Sequence, residues 1–347
     1  MVGVEVVDTM LGHPSRLLVI AVLTLFLAAC GKNQESASEP PDSSSSSALE
    51  KSEISLGNSV TGLGFMPVYV AVDQGFFEKH GLKVNVSTFK GGTEALQAVA
   101  GRAVDIGIGG ITEPIDGMIA GQNLKAFLSL ANQPIYTWWA SPDIETVQDL
   151  KDRHAKIAVS TIGSISYHLT RYALQRAGLD PDQDVEYVAV TGGGASQASA
   201  LIAGQVDATP TTPPSHLLLA DQGFNLLIQQ RDFMSEYPWE VAYTTEEFIE
   251  ENPKTVRAFA QALLDATEWA KSHVDEAADI TIETMKIGDD LKPYVHRVMA
   301  ELIDGYPSDG HFPEQGITLI LEFFKENGEI EEIPELTRIL EYSFVGN

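Results

Sequence analysis

The stretch AGRAVDIGIGG, Ala100–Gly110, decides how this chain folds, because it has an echo in AGQVDATPTTPP, Ala203–Pro214. Asp207 stands 102 positions after Asp105, and the same shift aligns Gly91 with Gly193, Gly92 with Gly194, Ala98 with Ala200 and Val104 with Val206. Each copy reads as one unit: a Gly-rich turn, a small-residue helix, an Asp at the start of a strand, and a loop beyond the strand's C-terminal end. In open α/β sheets that end is where ligands bind. Asp105 and Asp207 are therefore expected at the far end of their strands, as structural groups and not as catalytic carboxylates.

Outward from the first copy, EISLGNS, LKVNVSTF, VDIGIGG and LKAFLSLA read as strands, with PVYVAVDQGFFEKHG, GGTEALQAVAGRA and EPIDGMIAG as the helices between them. Around the second copy the cycle restarts with TVQDLKDRH, KIAVST, the amphipathic SISYHLTRYALQRAG, VEYVAV, GGASQASALIAG, VDATPTT, SHLLLADQG and FNLLIQQ. From TTEEFIEENP onward the pattern is mostly helical. Strands alternating with helices predict α/β halves built on parallel-type sheets with right-handed crossovers.

The N-terminus reads differently. Arg16 precedes an apolar run, Leu17–Leu27, that is shorter than the roughly 20 residues of a membrane span. Small residues follow it, which is the pattern of a secretory signal; initiation at Met10 would leave Arg16 as its one charge. LAACG, ending in Cys30-Gly31, resembles the lipobox of bacterial lipoproteins, which implies that residues 1–30 are a signal peptide and that lipidated Cys30 holds the mature chain on a membrane. Cys30 is the only cysteine, so it has no disulfide partner. The polar, Ser-rich residues 31–52 read as a disordered tether.

Five segments occur in an order that resembles the solute-binding proteins of ABC importers: PVYVAVDQGFFEKHGLKVNV, GGTEALQAVAGRAVDIGIGG, KIAVSTIGSISYHLTRYALQRAGLDPDQDVEYVAV, LIAGQVDATPTTPP and FIEENPKTVRAFAQALLDATEWA. The group concerned includes nitrate-, sulfonate-, taurine- and bicarbonate-binding proteins and the thiamine-pyrimidine-binding proteins. The resemblance implies a two-lobed periplasmic-binding-protein type 2 fold with a hinge and a helical C-terminal region. It places one lobe at 53–135 plus 244–347 and the other at 141–236. It also implies an extracytoplasmic monomer, anchored on a bacterial membrane, that passes a small organic or oxyanion ligand to an ABC permease.

The loops then become candidate binding surfaces. In TIGSISYHL, Ser160, Thr161, Gly163, Ser164 and Ser166 sit where a strand gives way to a helix; such hydroxyls cap the helix, or its free N–H groups hold a polar ligand. After the first strand, Thr61, Gly62 and Gly64 offer a hydroxyl and close backbone approach, and Phe65 a stacking face. Gly109, Gly110 and Thr112 are expected to face Thr211 and Thr212 across the cleft. Glu113 is either a partner for a ligand amine or amidine or a first-turn helix acid. Trp138 and Trp139 point to opposite faces of a strand, which leaves Trp138 as the candidate for the cleft.

A net charge of −27 disfavours nucleic acid as a partner. No Arg or Lys occurs in TGLGFMP, GGITEP, STIGSIS, TGGG or TPTTPP, which favours a neutral or cationic ligand over an anion. No catalytic residues, metal site or cofactor are expected: the eight histidines lack ligand spacing, and GIGGIT departs from GxGxxG at Thr112. An enzyme resembling thiamine-pyrimidine synthase would need an iron-binding cysteine segment. A ligand-sensing lipoprotein of the same fold is the other alternative.

Overall fold

The computed structural model describes residues 48–289 and 291–345. The expected signal peptide, Cys30 and residues 31–47 lie outside the described residues. In chain order the strands are β1 (Glu53–Asn58), β2 (Lys83–Thr88), β3 (Ile106–Gly109), β4 (Leu124–Ala131), β5 (Thr137–Ala140), β6 (Lys156–Val159), β7 (Glu186–Ala189), β8 (Ala208–Thr211), β9 (Asn225–Gln229) and β10 (Glu240–Thr245). They form two sheets of matching order, β2-β1-β3-β10-β4 and β7-β6-β8-β5-β9.

The sheets are mixed, where alternation alone predicts parallel ones. β1 pairs in parallel with β2 and β3, and β6 with β7 and β8. The exceptions are the two crossings. The chain leaves β4 and enters the second sheet as β5, antiparallel to β8 and β9. It leaves β9 and returns to the first sheet as β10, antiparallel to β3 and β4. A parallel arrival needs a long crossover connection, usually a helix; neither crossing contains an α-helix, so each lobe takes its fourth strand directly from the other.

The echo at Asp105 and Asp207 has a structural cause. The Asp105 carboxylate accepts from Ser55 N and Oγ, both at 2.8 Å, and from Lys51 Nζ at 2.6 Å. Partial burial alone would raise its pKa, but the bonds from Lys51 and Ser55 outweigh that and hold it below the usual range. Asp207 accepts from Lys156 N at 2.7 Å. Each Asp thus ties the start of the lobe's third strand to the start of its first, away from the loops.

The tether expected to reach residue 52 instead joins the fold at Glu50, whose carboxylate accepts from Lys254 N and Thr255 N at 3.1 and 3.0 Å. Those amides open the helix Pro253–Ser272, where free N–H groups and the positive dipole end favour an acid. The helical segment 67–81 is divided at Gly75, the glycine expected to punctuate it, into Met66–Asp73 and Phe76–Lys79, with Gly75 left-handed at φ 69° between them.

The first lobe has one large core, in which Phe259 stacks on Phe77 at 5.2 Å and meets Phe127 edge-on at 6.2 Å. The second lobe has a smaller cluster on each face of its sheet, with the neighbouring residues Ile157 and Ala158 in different clusters. The helix Glu314–Glu326 packs on the second lobe's helix Ile165–Arg176 through Phe323 against Tyr172 and Phe324 against His168. No helix among the described residues is long and apolar enough to cross a membrane.

Candidate functional site

The C-terminal ends of β1, β2 and β3 meet those of β6, β7 and β8, and a small cavity lies between the loops that follow them. Ser59, Thr61, Gly62, Phe65, Gly92 and Glu113 wall it from the first lobe, Ser160, Ile165, Ser166, Gly193, Gly194, Gln197 and Thr212 from the second, and Tyr136, Trp239 and Glu240 from the crossings. Its volume is about 30 Å³, room for a water or two and far below the few hundred Å³ of a typical ligand pocket. The lobes are shut.

Polar contacts fasten this closure. Thr93 Oγ1 donates to Ile162 O at 2.8 Å and lies 3.2 Å from Thr161 Oγ1. Gly192 N donates to Lys90 O at 3.4 Å. Deeper in, His168 Nε2 of the second lobe lies 3.1 Å from Asp116 Oδ2 of the first.

Of the residues singled out from the sequence, Thr61, Gly62, Phe65, Ser160, Ser166 and Thr212 line the cavity. The others do not, each for a local reason. Gly64 packs beneath the crossing, where a Cβ would come within 2.5 Å of Glu240 Cγ. Gly109 and Gly110 make room for the Glu113 carboxyl. Thr112 is fully buried, with Oγ1 3.3 Å from Glu113 Oε2. Thr161 and Gly163 sit at the rim, against Thr93. Ser164 caps the helix Ile165–Arg176, and its hydroxyl joins those of Ser160 and Ser166 in a triangle of 2.9–3.0 Å contacts. Thr211 is buried in β8.

Trp138 is corrected outright. It is 3% exposed, and its indole N–H donates to Thr170 Oγ1 at 2.9 Å, so it belongs to the core. Trp139 is buried as well. The expected pairing across the cleft is also different: Gly110 faces Ile165, and Gly193 faces the Thr61 carbonyl. The loops interlock diagonally: the loop after β3 meets the loop after β6, and the loop after β7 meets the loop after β1.

Two acids dominate the chemistry. Glu113 is the first-turn acid of the helix Thr112–Ile119, and it also lines the cavity. It is 1% exposed and Glu240 is 3% exposed. Burial, reinforced by the charge of Asp116, drives the Glu113 carboxyl up to about 8. Burial, reinforced by Glu113, drives Glu240 well above the ordinary carboxylate range. Glu113 Oε1 and Glu240 Oε2 have no hydrogen-bond partner. No Lys, Arg or His lines the cavity.

The resemblance places crossings near residues 136–140 and 239–243, but Tyr136, Trp239 and Glu240 were not singled out, because the strand pattern does not show which crossing side chains reach the cavity. The 102-residue echo pointed to Gly92 and Gly194 as a matched pair, and both line the cavity.

A family model described as NMT1/THI5 like matches residues 63–277. The nitrate import ATP-binding protein NrtC of Synechocystis is 27% identical over 77% of this chain, which spans 43% of that protein. The formylaminopyrimidine-binding protein of Halalkalibacterium halodurans is 24% identical, with 77% of this chain and 78% of that one covered. The solved alkanesulfonate-binding protein SsuA of Xanthomonas axonopodis pv. citri, bound to MOPS, superposes with a TM-score of 0.68 at 18% identity, over 85% of this chain and all of that one. Similarity at that level speaks to the fold.

Proposed function

The chain belongs to the NMT1/THI5-like family, and from that premise we propose that it is an extracytoplasmic solute-binding lipoprotein. It closes two lobes, 53–135 plus 244–347 and 141–236, over a small organic solute and delivers it to an ABC permease. The observation that carries this reading is the shut cavity walled by loops of both sheets. A solute that contacts both lobes binds the closed arrangement better than the open one, and so shifts the population toward closure. The 30 Å³ cavity requires the lobes to part before a solute enters.

The lipobox at Cys30 anchors the protein to a membrane, and the Ser-rich segment that follows it is its tether. It acts as a monomer and as a binder. Relatives carrying binding-protein names support capture over catalysis, as does the lack of a second cysteine for an iron-binding segment. Of the wall residues, Thr61, Phe65, Ser160, Ser166 and Thr212 supply the solute's neutral contacts.

Trp239 in the wall gives a test. Titration of the full chain with a panel of small solutes is expected to change intrinsic fluorescence, release calorimetric heat and raise the melting temperature for at least one class. A panel that leaves all three unmoved contradicts the reading.

A further inference from the structure

We propose that the cavity selects a small organic cation bearing N–H donors on two edges, of the amidine, guanidine or amine class, and holds it between Glu113 and Glu240. This rests on the solute-binding reading and names the class of solute.

Three features of the cavity argue for it. The first is unmet acceptors. A buried polar oxygen without a partner is costly and uncommon in folded proteins. Here two carboxyls in one small cavity each present such an oxygen, Glu113 Oε1 and Glu240 Oε2. The surrounding groups offer them no free cationic donor: Asp116 engages His168, while Phe65 and Trp239 supply ring faces.

The second is the space reserved for the acid. A Cβ on Gly92 would fall 1.8 Å from Glu113 Oε1, and one on Gly110 would fall 2.9 Å from Glu113 Oε2. The carboxyl lies against the first residue of the helix Gly92–Ala100. The open N-terminus of such a helix is where an anionic ligand would be held; in this chain the protein's own acid stands there.

The third is charge. A nitrate or sulfonate in this cavity would meet two carboxyls and no cation. A cation does the reverse, because each N–H donated to a carboxylate forms a charge-assisted bond and draws the acid into its ionised form. Binding therefore releases a proton from Glu113 or Glu240 to solvent, with no other bond made or broken. The groups facing the acids are Asp116 on the same helix as Glu113, His168 behind it, and Tyr136, Tyr237 and Tyr243. Burial raises the pKa of all three tyrosines, so they stay neutral.

The test is calorimetric titration of the full chain with benzamidine and guanidinium, alongside the neutral isostere benzamide and the anions nitrate and benzenesulfonate. Each runs in two buffers of different ionisation enthalpy. A cation is expected to bind at least about tenfold more tightly than benzamide, with proton release shown by a buffer-dependent heat. Glu113→Gln and Glu240→Gln should each weaken it by about tenfold to a hundredfold, and the double variant should remove that buffer dependence. The wild-type heats stand as evidence even where a variant fails to fold. Preferred binding of nitrate or benzenesulfonate, or cation binding without proton release, overturns the proposal and leaves the solute-binding reading intact. Failure of every probe, with no co-purifying solute by native mass spectrometry, overturns both.

Discussion

The two lobes share a frame and differ in chemistry. Their strand orders match, each takes its fourth strand from the other, and each ties its third strand to its first with an Asp. Yet the first lobe and the returning crossing bring the buried acids and the rings of Phe65 and Trp239, while the second brings Ser160, Ser166, Thr212 and a run of glycines. The lobe that sets the charge has the larger core and the longest helix packed against it. The lobe opposite it has smaller cores and no charged residue in the cavity wall. A repeated frame can thus divide the work of selecting a solute and covering it.

Substitutions at several depths test the difference between the lobes. Phe259→Ala removes the ring stacked on Phe77 and edge-on to Phe127 and should cost about 3–5 kcal/mol in chemical denaturation. A loss below about 1 kcal/mol would mean that the first core is not the heavier one.

Gly92 and Gly194 occupy equivalent places, so substituting each by Ala compares the lobes directly. The Gly92 methyl would collide with the Glu113 carboxyl, whereas the Gly194 methyl would rest 3.0 Å from Thr212 Oγ1. Gly92→Ala is expected to cost about 1–3 kcal/mol and to weaken solute binding. Gly194→Ala should cost under about 1 kcal/mol, since a side-chain hydroxyl can turn aside. Equal effects in calorimetry and thermal melts would erase the difference between the lobes.

The pH dependence separates the two ends of the first lobe, the cavity end and the strand-entry end. With a raised pKa, Glu113 keeps its proton in the fold where an unfolded chain would have lost it. Its contribution to stability is full below the ordinary value of 4.5 and is lost as pH rises through about 8. Asp105, held low by Lys51 and Ser55, has the opposite sign: its contribution is present above 3.8 and is lost as pH falls through its lowered value. Melting temperatures of the solute-free protein should decline between pH 5 and about 8, and Glu113→Gln should flatten that decline. A profile unchanged by the substitution would place the titration elsewhere.

The smallest effect is expected at the rim. Thr93→Ala removes the bond to Ile162 O and the contact with Thr161, worth about 0.5–1.5 kcal/mol in favour of the closed state. Solute affinity should drop about twofold to tenfold with the fold's stability unchanged. A drop in stability without a drop in affinity would remove Thr93 from the closure.

The frame was legible because its determinants are local. Period, glycine punctuation and the Val-Asp echo mark where strands and helices start, and nearly every element falls where the pattern puts it. The site was legible only where a loop directly follows a strand, as at Thr61, Ser160 and Thr212. Tyr136, Trp239 and Glu240 come from the crossings, and their place in the wall depends on how β5 and β10 insert into sheets that the alternation describes as parallel. Trp138 misled for a related reason: alternation along a strand tells which residues share a face, but what covers that face, here Thr170 and the helix it belongs to, is a tertiary fact. The acid pair could not be read at all, since Glu113 and Glu240 lie far apart in sequence and meet only when the chain returns to its first sheet.

We propose that the acidic wall of the first lobe selects the solute and that the uncharged wall of the second lobe covers it. Native mass spectrometry of the full chain as purified tests this most directly. A bound species with basic nitrogen, lost on substituting Glu113 and Glu240 together by Gln, is the predicted result. A bound oxyanion or sulfonate, or a solute retained unchanged by that double variant, would contradict it.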